Sequence, residues 1–352
     1  MITGTGSYVP QQVIKNEEFV GQAFYEKDGQ RIESPGQDIV QKFEDITGIY
    51  ERRWMNPRQV TSDMAVEAAR LAIEDAGIDP ETLDQIILAH NFGEVIHGTI
   101  QSDAVPCLAS RVKSRLGIKN PSCVAYDLLF GCPGWIQGVI HADAFFKAGV
   151  ARRILVIGAE ALSRVVDVYD RDTMIFSDGA GATVLEAVES DEKKGLLASA
   201  AASDTVDEVS YLYMGPSNAP DADPKVRYIK MLGRKIYEYS LIKVPAAMKI
   251  ALEKAEIPVD QVKKILLHQA NEKMDAAIVQ RFYRQFGIRN PGDDKMPMNI
   301  KELGNSSVAT VPTLYDMVLK GNLENHQIAP GDVLIFASVG AGMNLNAFVY
   351  RQ

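Results

Sequence analysis

Three residues in this chain have the types and settings from which covalent chemistry can be built: Cys132, His268 and Asn305. A thiol beside an imidazole, with a carboxamide to orient or donate, is a nucleophilic constellation. Cys132 follows Gly131 at the end of an apolar run that starts at Val124. It precedes Pro133-Gly134-Trp135 and an amphipathic stretch reaching about Lys147. Pro133 suits the first position of a helix, whose backbone donor would be unpaired in any case. The pattern predicts Cys132 at a helix N-terminus, where free N–H groups and the helix dipole favour a thiolate and any oxyanion beside it. His268 ends the apolar run Ile265-Leu266-Leu267, and Asn305 lies in Leu303-Gly304-Asn305-Ser306-Ser307 before another helix. Singly, each has a plain structural explanation: a buried thiol, a satisfied core histidine, a helix cap. Together they need a scaffold that brings them to one place.

The sequence supplies one by repeating itself. Ala72-Ile73-Glu74-Asp75-Ala76-Gly77-Ile78 and the following Ile86-Ile87-Leu88 match Ala251-Leu252-Glu253-Lys254-Ala255-Glu256-Ile257 and Ile265-Leu266-Leu267. The offset is a constant 179 residues, as from Ala76 to Ala255. A second match runs at an offset of 173, as from Cys132 to Asn305, and pairs Gly131-Cys132 with Gly304-Asn305. Each of these junctions leads into a helix and then an apolar strand, Ile154-Leu155-Val156-Ile157 in one case and Val333-Leu334-Ile335-Phe336 in the other. The pattern predicts a duplicated α/β unit, with halves at 1–185 and 186–352 related by a pseudo-twofold axis. Strand ends at equivalent places in such halves face one another across a crevice.

Other elements are consistent with that scheme. Thr61-Ser62-Asp63 is expected to cap a helix over 64–76 closed by Gly77, and a further helix is expected over about 105–116. Strands this continuously apolar, alternating with helices, imply sheets covered on both faces. Residues 203–228, polar and carrying Pro216, Pro220 and Pro224, are expected on the surface. Thr3-Gly4-Thr5-Gly6 resembles part of a dinucleotide fingerprint, but Pro10 follows and no helix opens there. Arg52 and Arg53, between apolar flanks, are expected either in a solvated loop or facing a substrate.

The totals narrow the function. A net charge of −9 over 352 residues disfavours a nucleic-acid partner. There is no apolar run of membrane-spanning length and no charged-then-apolar leader. Cys107, Cys123 and Cys132 are too few for a disulfide framework, which suits a reducing cytoplasm. The five histidines show no clustered spacing, so no metal is expected.

Cys132 in its strand–turn–helix, His268-Gln269-Ala270-Asn271 and Gly304-Asn305-Ser306-Ser307 resemble the Cys–His–Asn triad of the thiolase-fold condensing enzymes. Within these the chain is most similar to β-ketoacyl-acyl-carrier-protein synthase III. The resemblance extends to Thr47-Gly48-Ile49-Tyr50-Glu51-Arg52-Arg53, Asp178-Gly179-Ala180-Gly181 and Val339-Gly340-Ala341-Gly342, nearly the full length. It implies a five-layered αβαβα fold, internally duplicated, and a homodimer. It also implies an acyl group loaded on Cys132, then decarboxylative condensation with malonyl-acyl-carrier protein in fatty-acid or related biosynthesis. The backbone amides of Cys132 and Ala341 would form the oxyanion hole, His268 and Asn305 would stabilise the enolate, and no cofactor would be needed.

Where the resemblance implies a partner-subunit Phe closing the acyl pocket, this chain has Val105, which would leave room for a longer or branched chain. Head-to-head condensing relatives place a carboxylate base nearby. Val105 opposes that chemistry, and Glu94, close in sequence, keeps it open. Relatives that take acyl-CoA carry Trp and Arg before the Thr-Gly-Ile motif; here the stretch is Lys42-Phe43-Glu44-Asp45-Ile46, which disfavours a CoA donor. Arg234, Lys235, Lys273, Arg281 and Arg284 are the candidate cations for docking an acidic carrier protein. Two rival readings are a cysteine-dependent acyltransferase without decarboxylation and a non-catalytic partner subunit that sets chain length; the intact triad opposes the second.

Overall fold

The computed structural model describes residues 1–352, the side chain of Asp293 excepted. In chain order the first half contains β1 (Ile2–Tyr8), β2 (Gln12–Lys15), α1 (Gly36–Thr47), β3 (Glu51–Trp54), α2 (Thr61–Ala76) and β4 (Gln85–Ala89). It continues with β5 (Glu94–Val95), β6 (Ser102–Asp103), α3 (Leu108–Arg115), β7 (Val124–Leu128), α4 (Gly134–Lys147), β8 (Arg153–Ala161) and β9 (Asp178–Glu186). The second half begins with β10 (Gly195–Ser203), the hairpin β11 (Leu212–Gly215) and β12 (Tyr228–Met231), α5 (Gly233–Ala255) and β13 (Val262–Leu267). It ends with α6 (Glu272–Arg284), α7 (Ile300–Leu303), α8 (Thr310–Leu319), β14 (Val333–Gly340) and β15 (Asn344–Arg351).

Two sheets carry the molecule: a five-stranded one ordered β1-β9-β8-β4-β7 and a four-stranded one ordered β10-β15-β14-β13. The offset found in the sequence reappears as strand pairing. Ile86 and Ile87 lie parallel beside Leu155 and Val156, and Ile265 and Leu266 lie parallel beside Ile335 and Phe336. The match is incomplete, because β7 has no counterpart strand in the second sheet. β7 is also an edge, with Val124 and the following Leu129 exposed, so the apolar run before Cys132 is not covered on both faces as its composition suggests.

The layers follow from which helix faces are apolar. α2 packs on β1, β8 and β9 outside the first sheet, and α5 packs on β10, β14 and β15 outside the second. α4 and α8 lie between the sheets, giving the order αβαβα. A middle cluster of Trp135, Tyr315, Phe336, Phe348 and Tyr350 joins both halves; Phe336 and Phe348 stack at 4.5 Å. Continuous apolar burial on strands such as β4 and β14 is the sequence signature of that double coverage.

Some local expectations are corrected. Val60, not Thr61, caps α2, its N–H accepted by Asp63 Oδ2 at 2.7 Å, so the helix starts three residues earlier than position 64. Pro133 is the N-cap of α4 and Gly134 its first residue, so Cys132 stands just outside the helix. α3 is shorter than the span 105–116. The Gly4 and Gly6 positions serve packing, since a Cβ on either would fall within 2.4 Å of an α2 carbonyl oxygen.

Candidate active site

β7 and a glycine turn deliver the thiol. Gly131 has φ 68°, and a Cβ on it would stand 2.7 Å from the Ala341 amide nitrogen. A Cβ on Gly340 would stand 2.4 Å from the Cys132 amide nitrogen. The Gly131-Cys132 and Gly340-Ala341 backbones therefore run in contact, and only glycines permit it. This contact brings together the two amides expected to hold an oxyanion.

β13 delivers the imidazole. The backbone N–H of His268 donates to Ala337 O at 3.0 Å, which ties the strand end to β14. Its Nδ1 lies 2.7 Å from Thr310 Oγ1, and Thr310 Oγ1 donates its proton to Ser307 O at 3.0 Å. Thr310 must then accept from His268, so the hydrogen sits on Nδ1 and Nε2 presents a lone pair. Asn305 is clamped on both sides: its N–H donates to Ile175 O and its carbonyl accepts from the Ser177 N–H, each at 2.9 Å. Its Oδ1 accepts from the Ser307 N–H at 2.8 Å, leaving the NH₂ for the chamber.

The expected convergence is present. Cys132, His268 and Asn305 line one cavity of about 260 Å³, walled by apolar groups including Phe92, Leu162, Phe176 and Met214. A larger outer cavity, about 490 Å³, shares Met231, Ile236, Ala270, Met274 and Asn305 with it and opens past Lys42, Phe43, Arg171 and Arg234. The arrangement is a passage from the surface to a thiol in an apolar chamber.

The electrostatics differ from the sequence expectation of a thiolate. Burial pushes the Cys132 thiol up to about 11; the Ser307 hydroxyl, 3.3 Å from the sulfur, opposes that rise and Glu160 adds to it. Burial drives His268 down to about 4. Desolvation is the largest influence on both groups, and the resting pair is neutral thiol and neutral imidazole.

Other candidates fall elsewhere. Arg52 is fully buried and donates to Met174 O, Ile14 O and Asn16 Oδ1, so it is a framework residue facing neither solvent nor substrate. Arg53 pairs with Glu51 at 2.8 Å. Glu94 is buried against Arg111 at 2.8 Å and takes no part in the chamber. Val105 is 87% exposed and lies outside the chamber. Arg234, Lys235, Lys273, Arg281 and Arg284 are exposed, and of these Arg234 lines the mouth, paired with Glu238 at 2.8 Å. Cys107, Cys123 and Cys132 are all free thiols.

The sequence reading missed several residues. Arg171 lines the mouth, and the hairpin β11–β12 walls the chamber with Leu212, Tyr213, Met214, Ile229 and Met231, so the 203–228 excursion is not wholly superficial. The short apolar run Tyr211-Leu212-Tyr213-Met214 inside this polar stretch is a weak signal of that wall. Ser307, Thr310 and Glu160 carried no functional expectation.

Comparison with known proteins agrees with this geometry. A family model described as 3-oxoacyl-[acyl-carrier-protein] synthase III matches residues 126–205, and the model of that enzyme's C-terminal part matches residues 252–352. The chain is 33% identical over 353 residues to a β-ketoacyl-[acyl-carrier-protein] synthase III of Erythrobacter litoralis, covering 99% of this chain and 98% of that one. The crystal structure of 3-oxoacyl-[acyl-carrier-protein] synthase III from Aquifex aeolicus superposes with TM-score 0.80 at 29% identity, covering 100% and 99% of the two chains. The priming β-ketosynthase of a polyketide biosynthetic pathway superposes with TM-score 0.80 at 26% identity, covering 99% and 95%.

Proposed function

The chain belongs to the β-ketoacyl-[acyl-carrier-protein] synthase III family of acyl-transferring condensing enzymes, and from that premise we propose how its residues divide the reaction. The single observation that carries the proposal is the convergence of Cys132, His268 and Asn305 on one apolar chamber. Cys132 attacks the carbonyl of an acyl thioester while its proton passes to His268 Nε2. The amides of Cys132 and Ala341 hold the tetrahedral oxyanion, and collapse breaks the donor's carbon–sulfur bond and releases its thiolate. The acyl group stays on Cys132.

A malonyl thioester on an acyl carrier protein then enters. Its carbon–carboxylate bond breaks, CO₂ leaves, and the electron pair passes to the thioester oxygen as an enolate. His268 Nε2–H and the Asn305 NH₂ donate to that oxygen. Burial makes an imidazolium costly here, so the proton taken from Cys132 stays on His268 only while an anion stands against it: first the departing thiolate, then the malonyl carboxylate, then the enolate. The carbanion attacks the acyl carbonyl, the bond to Cys132 breaks, and the sulfur recovers its proton from His268. Side chains and backbone complete the cycle without a cofactor.

The finer assignments follow from the mouth and the edge. Lys42 and Phe43 line the outer cavity without an adenine-gripping Trp–Arg pair, which favours a carrier-protein acyl donor over CoA. Lys235, Lys273, Arg281 and Arg284, exposed on an acidic molecule, serve the carrier's acidic face together with Arg234 at the mouth. The uncovered edge β7 and exposed Ile96, Ile100, Val105 and Leu129 favour a homodimer in which Val105 reaches the partner's acyl chamber. Among the described residues no helix is long and apolar enough to cross a membrane; cytoplasmic residence rests on the free thiols.

The test is intact-mass analysis after incubation with acyl-CoA and acyl-carrier donors of graded length. The expected result is one acyl adduct on Cys132, preferring carrier-bound chains longer than acetyl. Preference for acetyl-CoA would remove the donor and chain-length assignments, and no adduct from any donor would remove the condensing mechanism.

A further inference from the structure

Behind the nucleophile lies a second buried polar chain that the reaction as drawn does not use. We propose that Ser307 is a positioning residue for all three reacting side chains, and that Asn91 and Glu160 complete a hydrogen-bonded chain, Glu160–Asn91–Ser307–Cys132, that supports the forming thiolate. This rests on the reading of Cys132 as the acyl-accepting nucleophile.

Every hydrogen-bonding group of Ser307 is committed to the site. Its N–H fixes Asn305 Oδ1 at 2.8 Å, and its carbonyl accepts from the Thr310 hydroxyl that sets the His268 tautomer. Its hydroxyl meets Cys132 Sγ at 3.3 Å. The backbone that allows this is strained: Ser307 has φ 54°, a left-handed conformation a non-glycine residue rarely adopts.

The direction of the chain follows from donor counting. Asn91 Nδ2 donates to Glu160 Oε2 at 2.5 Å and to Ser307 Oγ at 3.1 Å, using both amide hydrogens. With its oxygen accepting from Asn91, the Ser307 hydroxyl turns its own proton to the sulfur. A donor held there is worth little to a neutral thiol and much to a thiolate, so it acts when proton transfer begins. The chain ends on a fully buried carboxyl whose Oε1 has no hydrogen-bond partner among the described residues. Burial pushes Glu160 up to about 7, although Asn91 and the nearby His90 oppose that rise. The titratable groups around the chain are therefore Glu160 on β8, His90 at the end of β4, paired with Asp127 at 2.8 Å, and His268 across the chamber. A neutral Glu160 leaves the donor chain intact. An ionised one places a negative charge behind the sulfur and opposes thiolate formation.

The test is the rate of Cys132 alkylation by iodoacetamide across pH 5–9 (a range chosen for the assay) on the full chain, read by the mass of the Cys132 peptide so that the free thiols Cys107 and Cys123 are counted separately. Ser307→Ala and Ser307→Gly both lose the hydroxyl, and the glycine variant tolerates the left-handed backbone. Both are expected to alkylate about tenfold more slowly at neutral pH, with profiles displaced upward. Glu160→Gln keeps the acceptor for Asn91 and removes the charge. It is expected to match wild type in acid and to alkylate faster than wild type above about pH 7, where the native carboxyl ionises. A wild-type profile in either Ser307 variant, or a slowed one in Glu160→Gln, would overturn the proposal. Alkylation needs no acyl donor, so these profiles stand or fall independently of whether the enzyme condenses.

Discussion

At Gly131 and again at Gly304 the chain turns with positive φ, 68° and 59°, before entering a helix between the sheets. In the first half the turn runs through Cys132 and Pro133 straight into α4, so a sulfur stands at the junction. In the second, a short 3₁₀ segment, Ser307–Ala309, is inserted before α8, and the junction presents the Asn305 amide, with Ser307 and Thr310 around it. The difference teaches how a duplicated scaffold divides a two-step reaction. In the proposed reaction, one copy of the junction supplies the group that is covalently changed and the other supplies hydrogen bonds that hold charge and set tautomers.

The largest expected effect breaks the first junction outright. Cys132→Ala should abolish acyl loading and reduce condensation about 10⁶-fold, the loss typical of removing an enzymatic nucleophile, as read by adduct mass and product formation. Breaking the second junction should be milder and selective. Asn305→Ala should slow CO₂ release from malonyl carrier about 10²–10³-fold while leaving acylation of Cys132 near wild type. Equal losses in both steps would erase the division of labour.

Gly340→Ala probes where the strand ends touch, because the added methyl would collide with the Cys132 amide. Acyl loading should fall about 10²-fold with the fold retained by circular dichroism, since the displaced groups include an oxyanion donor. A smaller, stability-level effect concerns Glu160. Its carboxyl is raised in the folded state, from 4.5 to about 7, so its contribution is fully present below pH 4.5 and lost as pH rises through about 7. Glu160→Gln should therefore melt like wild type in acid and gain about 3 kcal/mol over it at pH 8. The smallest effect is at the surface: reversing Lys273 and Arg281 should lower kcat/KM for malonyl carrier about tenfold at low salt and almost not at all at high salt.

The triad was legible because duplication gives it a geometry: a thiol and an amide at matching strand–helix junctions, with an imidazole at the end of a repeated strand. Coverage of the sheets on both faces was legible from continuous apolar strands alternating with helices, whereas the five-layer order came from the family resemblance. What escaped the sequence depends on distant packing. Glu160 ends Ile157-Gly158-Ala159-Glu160, and no periodicity marks a carboxyl that will be fully buried beneath the nucleophile. Ser307 looks like any serine near a helix start, because its left-handed backbone is imposed by the clamps on Asn305. Arg52 was ambiguous because its partners, Ile14 O, Asn16 Oδ1 and Met174 O, come from remote segments. The helix-end argument for a thiolate left out desolvation, the largest influence on the Cys132 thiol.

The most direct measurement follows both half-reactions in one experiment: acyl adduct by peptide mass and labelled CO₂ from malonyl carrier, for wild type, His268→Ala and Asn305→Ala. The account predicts an adduct on Cys132 in wild type and Asn305→Ala, with CO₂ release slowed at least about 10²-fold in both variants. An adduct on any other residue, or undiminished CO₂ release without His268 and Asn305, would contradict it.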